Sequence, residues 1–151
     1  MKESFYDTIE GYSTVNPLIE AAGFSLIQLD CNSSKSMRRY SIVVYRPQGV
    51  SLDDCVLLHK TLLPRLEMIY PHLDIYIDIM SPGVGRVIKS ASEFACFLNL
   101  PCKVLLDDDI NWIEGVIVKS GMGVLSLMVK DEQQEMVQEI PFAQIKKAKL
   151  L

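Results

Sequence analysis

Histidine and tryptophan are scarce in this 151-residue chain, with two of the first and one of the second, and its four cysteines never form a C-x-x-C pair. Cys31, Cys55, Cys96 and Cys102 stand at scattered spacings inside apolar runs, with only His59 and His72 to join them as ligands. Zinc sites and disulfide frameworks need closer, repeated spacings, so these residues read as buried free thiols. No run approaches the roughly 20 apolar residues that a bilayer span requires. Met1-Lys2-Glu3-Ser4 leads into polar sequence where a signal peptide needs an apolar stretch. A soluble, cytoplasmic protein without a membrane partner is expected. A basic surplus is missing too, because 15 Lys and Arg against 19 Asp and Glu leave a formal charge of −4. The deficit divides evenly: residues 1–87 hold eight cations and ten anions, and residues 88–151 hold seven and nine. Proteins that grip nucleic acid mainly through phosphates carry a surplus of cations. A basic protein partner, or a small local basic patch, fits this balance better.

What the chain does have is apolar patterning, at 49% hydrophobic residues, enough to bury one ordinary core or two small ones. Phe5, Ile9, Tyr12, Val15, Leu18, Ile19 and Ala22 recur at three and four, which predicts a helical stripe bent or divided at Gly11 and Pro17 and closed by Gly23. From Phe24 to Cys31 the period changes to two, and Tyr40 to Tyr45 is rich in β-branched and aromatic residues. These two strands are expected to pair through the turn Asn32-Ser33-Ser34-Lys35-Ser36. Arg38, Arg39 and Arg46 flank the hairpin, either as solvated ends or as contacts to RNA or an acidic partner.

Ser51 and Asp54 have the spacing of a capping box, so they open a helix through Cys55, Leu58, Leu62, Leu66 and Ile69, with a kink expected at Pro64. This gives the adjacent Asp53 and Asp54 a structural use at the positive end of the helix dipole, in preference to acid–base work or metal binding. Asp74 to Met80 alternates cleanly, with Ile75, Ile77 and Ile79 on the face that must lie against helices. The order helix, strand, strand, helix, strand describes a small α+β sandwich.

Ser81-Pro82-Gly83-Val84 reads as a type II turn between domains, and Gly85-Arg86 lacks the lysine and helix start of a phosphate loop. Ser90 and Glu93 predict a second capping box. Five short apolar bursts then follow between residues 103 and 150, parted by tight turns, and they suggest a small five-stranded barrel with a bulge or bend at Gly115. Asp107-Asp108-Asp109 offers too few oxygens for calcium and reads as a solvated hairpin tip. Trp112 could stack on a base but stands at a strand start, where an aromatic usually joins the core.

Four segments taken together resemble the bacterial ribosome maturation factor family RimP. They are Val15-Asn16-Pro17-Leu18-Ile19-Glu20-Ala21-Ala22-Gly23-Phe24, Gly49-Val50-Ser51-Leu52-Asp53-Asp54-Cys55, Ile79-Met80-Ser81-Pro82-Gly83, and Ile140-Pro141-Phe142 leading to Ile145-Lys146-Lys147-Ala148-Lys149-Leu150. The resemblance implies an N-terminal α-β-β-α-β domain over residues 1–87 and a C-terminal Sm-like or SH3-like β-barrel over residues 88–151. It also implies a non-enzymatic factor without cofactor or metal, expected to be monomeric, that binds the free small ribosomal subunit through a basic ribosomal protein and neighbouring rRNA. A general RNA-binding module using the barrel is the alternative. Candidate partner contacts are Arg38, Arg39 and Arg46, with Ser81, Pro82, Gly83, Arg86 and Lys89 around the connecting turn. The chain departs from the family pattern at Val84-Gly85-Arg86-Val87-Ile88, where Leu-Asp-Arg-Pro-Leu is usual. It departs again at Asn99-Leu100-Pro101, where the family has a glycine and two basic residues. Pro64 is a further difference.

Overall fold

The computed structural model describes Met1 and residues 9–151, so the expected helical contribution of Phe5 lies outside the described residues. It is a mixed α+β protein with two sheets that divides into two units between Pro82 and Gly83.

In the first unit, α1 (Tyr12–Ala21) begins directly after Gly11 and continues through Pro17 as one helical element, so of the bend or division expected there the division at Pro17 does not occur. It buries Val15 and Ile19 and ends in paired backbone bonds, Gly23 N–H to the Glu20 carbonyl and Phe24 N–H to the Ile19 carbonyl. That closure needs a left-handed residue, which Gly23 supplies at φ 89°. Then β1 (Ser25–Ser33) and β2 (Met37–Tyr45) pair antiparallel, with a register shift between Leu26 and Gln28 that lets both Leu26 and Ile27 be buried. Strict alternation of Ile27, Leu29 and Cys31 therefore fails at its first member.

The capping box closes at Ser51 in both directions, with Asp54 N–H donating to Ser51 Oγ at 3.1 Å and Ser51 N–H donating to Asp54 Oδ2 at 2.8 Å. It starts α2 (Leu52–Ile69), which stays a single helical element across Pro64 and buries Leu58, Leu62 and Leu66. The chain returns as β3 (Asp74–Met80), parallel to β2. The sheet order is β1-β2-β3, and the core joins the α2 leucines to Val15, Ile19, Leu29, Tyr40, Ile42, Val44 and Ile77.

The second unit holds β4 (Val87–Ile88), α3 (Ala91–Cys96), β5 (Pro101–Leu106), β6 (Trp112–Gly121), β7 (Val124–Lys130), β8 (Glu135–Pro141), a 3-10 turn (Phe142–Gln144) and β9 (Ile145–Leu150). All pairings are antiparallel, in the order β4-β9-β5-β6-β7-β8. This corrects the expected five-stranded closed barrel. The two-residue β4 adds a sixth strand by pairing with Lys149 and Ala148, and among the described residues no ladder joins β4 to β8. The β6–β7 hairpin turns on Met122 (φ 53°) and Gly123 (φ 79°), whose paired positive angles suit a two-residue turn.

Gly115 is not the bulge. It pairs regularly with Cys102, and the register shift lies between Ile117 and Lys119. A Cβ at Gly115 would sit 2.7 Å from the Met128 carbonyl oxygen, so close approach of β7 is what requires glycine there. The core includes Ile88, Phe94, Phe97, Cys102, Val104, Ile117, Leu125, Leu127, Ile140 and Ala148, with Phe94 stacked on Phe142 at 5.8 Å between ring centroids. Burial pushes the Cys102 thiol up to about 12, so it stays protonated and unreactive at neutral pH.

Candidate functional site

Each arginine of the hairpin is engaged locally. Arg38 points to the helix side, where Nε donates to Glu10 at 3.2 Å, Nη1 donates to the Ser34 and Met37 carbonyls, and the guanidinium lies 5.6 Å from the Tyr70 ring centroid. Arg39, its neighbour on a strand, points the opposite way. It reaches Asp78 at 3.3 Å and lies 4.9 Å from the Tyr76 ring centroid, and its side chain is 43% exposed. Arg46 donates to Asp54 and to the Gly49 carbonyl, both at 2.8 Å, and covers the Phe24 ring. Arg39 and Arg46 stand seven positions apart, about 23 Å of extended strand. The fold therefore does not gather the three arginines into one cluster.

The capping carboxylate is held below the ordinary Asp range, first by the Ser51 backbone N–H, then by the Ser51 side chain and the Arg46 charge. Asp53 beside it is exposed on the first helical turn. Asp54 does the capping work, and Asp53 places a second acid in the first turn. At the other acid run, Asp109 Oδ1 accepts the N–H groups of Ile110 and Asn111 and shapes the turn before β6. Among the described residues no three His, Cys, Asp or Glu side chains converge as a metal site. None of the described helices is long and apolar enough to cross a membrane.

The connecting turn differs from the type II turn expected at Ser81–Val84. Its hydrogen bond runs from Arg86 N–H to the Gly83 carbonyl, with Gly85 in the third place at φ 68°. Ser81 and Gly83 are exposed and Pro82 half-buried. Arg86 is nearly buried, at 10% exposure, and donates to Glu93 Oε2 at 3.0 Å. Glu93, 2% exposed, also accepts the Lys89 N–H through Oε1, so it does not complete the second capping box. Ser90 makes no side-chain cap bond and its Oγ lies 3.0 Å from Ser92 Oγ. Burial raises the Glu93 pKa above its ordinary value, against the lowering pull of Arg86. Lys89 itself is exposed. Asn99 takes the left-handed conformation at φ 67°, the geometry that the family's glycine would supply.

Sequence reasoning missed an open, mostly apolar groove of about 260 Å³ between α2 and β3, lined by Cys55, Val56, His59, Lys60 and Ile79. The available signal was Cys55 and His59 at i and i+4, which share one side of a helix.

These surfaces offer binding faces and held charges. A ribosome maturation factor RimP from Borrelia hermsii (strain HS1 / DAH) is 30% identical over 144 residues, spanning 95% of this chain and 96% of the relative. This chain belongs to the RimP family. Proteins of the same name from Borrelia turicatae (strain 91E135) and Borrelia recurrentis (strain A1) are 29% and 28% identical over 144 residues, each with 95% of this chain and 96% of the relative covered. Residues 14–85 match the family described as the RimP N-terminal domain, from within α1 to the connecting turn. RimP is a non-enzymatic family, and the capping duties of Asp54 and the turn-shaping duty of Asp109 agree with that.

Proposed function

We propose that this RimP-family chain acts in ribosome maturation in the cytoplasm, as a monomer that binds the free small subunit and assists a late assembly step. The single observation that carries the reading is similarity over 95% of the chain to proteins named ribosome maturation factor RimP. A factor of this kind needs no reactive group. It shifts a population of subunit intermediates by binding the correctly folded one better than its competitors.

The acidic balance supports a basic ribosomal protein as one partner, with neighbouring rRNA as the other. The second unit supports reading as an Sm-like module, because β5 to β8 form a meander and β9 returns to pair with β5 after a 3-10 turn. Arg39, Lys89, Ser81 and Gly83 are the exposed members of the contact set proposed here; Pro82 is half-buried, and Arg38, Arg46 and Arg86 are engaged by carboxylates within their own units. The test is sedimentation at moderate salt with purified small subunits and with translating ribosomes. The protein should travel with free small subunits and be absent from translating ribosomes. Travel with neither would refute the reading.

A further inference from the structure

Strand register brings together lysines that the sequence keeps 46 positions apart, 103 and 149. On β5 and β9, Val104 faces Ala148 and both are fully buried, so the residues on either side of them point away from the core. Those outward positions pair Lys103 with Lys149 and Leu105 with Lys147. On the other side of β5, Trp112 lies opposite Leu105 and Glu114 opposite Lys103. The result is one sheet face carrying Lys103, Lys147 and Lys149 around a half-buried indole.

Two features of this face are unusual for a merely solvated surface. Like charges placed directly across an antiparallel pair repel at a Cβ separation of about 5 Å. Five cations of the described chain, Arg38, Arg39, Arg46, Arg86 and Lys130, meet carboxylates within 4 Å. Among the described residues none of these three lysines does, although Glu114 is a neighbour in register. Lys35, Lys60, Arg65, Lys89, Lys119 and Lys146 meet none either, and what sets the three apart is that register gathers them on one face. Lys103 instead places its ammonium 5.1 Å from the Trp112 ring centroid. Trp112, expected at the sequence level to join the core, stands on the outward row and presents an aromatic surface among unpaired cations.

We propose that the outer face of β5, β6 and β9 binds single-stranded RNA, with Lys103, Lys147 and Lys149 meeting phosphates and Trp112 stacking on a base. Lysines spaced about 7 Å along β9 and about 5 Å across to β5 match a polyanion. The indole adds what an acidic peptide would not use, since every base offers a π face. The overall charge of −4 is no obstacle, because Lys103, Lys147 and Lys149 outnumber Glu114, the carboxylate in register beside them.

Trp112 is the only tryptophan, so its fluorescence reports this face in the unmodified protein. Titration with a 12-nucleotide oligouridine at 50 mM salt should quench it saturably. The affinity should fall with salt at a log–log slope of about −2, from three phosphates at roughly −0.7 each on a single strand. Lys147→Glu and Lys149→Glu, checked for folding by far-UV circular dichroism, should each weaken binding by about tenfold or more and flatten that slope. Trp112→Ala, followed by anisotropy of a labelled oligonucleotide, should lose about tenfold, whereas Trp112→Phe should stay within a few-fold. Absence of quenching by oligouridine would overturn the proposal. So would equal quenching by polyglutamate of the same length, or full affinity in both glutamate variants.

Discussion

Replacing Arg86 by alanine should destabilise the second unit strongly at neutral pH and only weakly near pH 5. The side chain of Glu93 is 2% exposed, and the Arg86 guanidinium at 3.0 Å is the charge that compensates its burial. Removing one partner of a buried pair leaves the other charge uncompensated and costs about 3–5 kcal/mol. One Lys89 N–H remains at 3.2 Å, which places the expectation toward the lower end of that range. The pH dependence follows from the direction of the Glu93 shift, which burial raises above its ordinary 4.5. A carboxyl whose folded value is raised binds protons more readily when folded. Its stabilising contribution is complete below the unfolded value near 4.5 and is lost as pH rises through the folded value. Without Arg86 the folded value climbs further, so the proton enters at a higher pH and relieves the buried charge.

Urea unfolding followed by Trp112 emission reads the second unit, because the sole tryptophan lies in β6. At pH 7.5 the variant should lose about 3 kcal/mol, and at pH 5 most of that difference should vanish. Adding Glu93→Gln to Arg86→Ala should recover much of the loss at pH 7.5, since it deletes the charge that has no partner. A cost below about 1 kcal/mol, the range of exposed pairs, or a cost equal at both pH values, would refute the account of a buried pair.

Three further outcomes test the structure more locally. Ser51→Ala removes the acceptor for the Asp54 N–H and should cost about 1 kcal/mol, read as a lower helix melting transition by circular dichroism. Gly115→Ala places a methyl 2.7 Å from the Met128 carbonyl oxygen. The β6–β7 ladder must shift to admit it, at about 1–3 kcal/mol, visible as a lower urea midpoint in Trp112 emission. Asp54 has a depressed folded pKa, so its contribution is present above the unfolded value of 3.8 and is lost as pH falls through the folded one. Asp54→Asn should therefore make the first unit less sensitive to acid in a pH titration of ellipticity.

Two boxes with the same spacing show where sequence legibility ends. Ser51 with Asp54 and Ser90 with Glu93 are equally plain in the chain, yet only the first closes. The first helix runs 18 residues, and its acid has an arginine, Arg46, close enough to share the cap. The second runs six residues, and its acid is drawn into the interior by Arg86, seven positions earlier. A local rule failed because a buried ion pair competed for the carboxylate. Alternation in β3 and the leucine stripe of α2 were legible because each element's own period sets its buried face. The strand β4 was not, since two residues carry no period and Val87–Ile88 is a strand only by virtue of Lys149 and Ala148.

The same limit applies to charge. A balance of −4 counts every ionised group equally, whereas binding depends on which cations are already neutralised. The residues that looked most like a basic site, Arg38, Arg39, Arg46 and Arg86, are all held by carboxylates. Lys103, Lys147 and Lys149 on β5 and β9 were no part of the candidate contact set and have no ion-pair partner among the described residues. Arginine's planar fork suits a fixed, partly buried pair, and lysine's mobile ammonium suits an exposed face awaiting an anion. In this chain Arg38, Arg39, Arg46 and Arg86 are each paired inside their own unit, and Lys103, Lys147 and Lys149 meet no carboxylate among the described residues. Substituting Arg86 should therefore register first in stability, and substituting Lys147 first in binding.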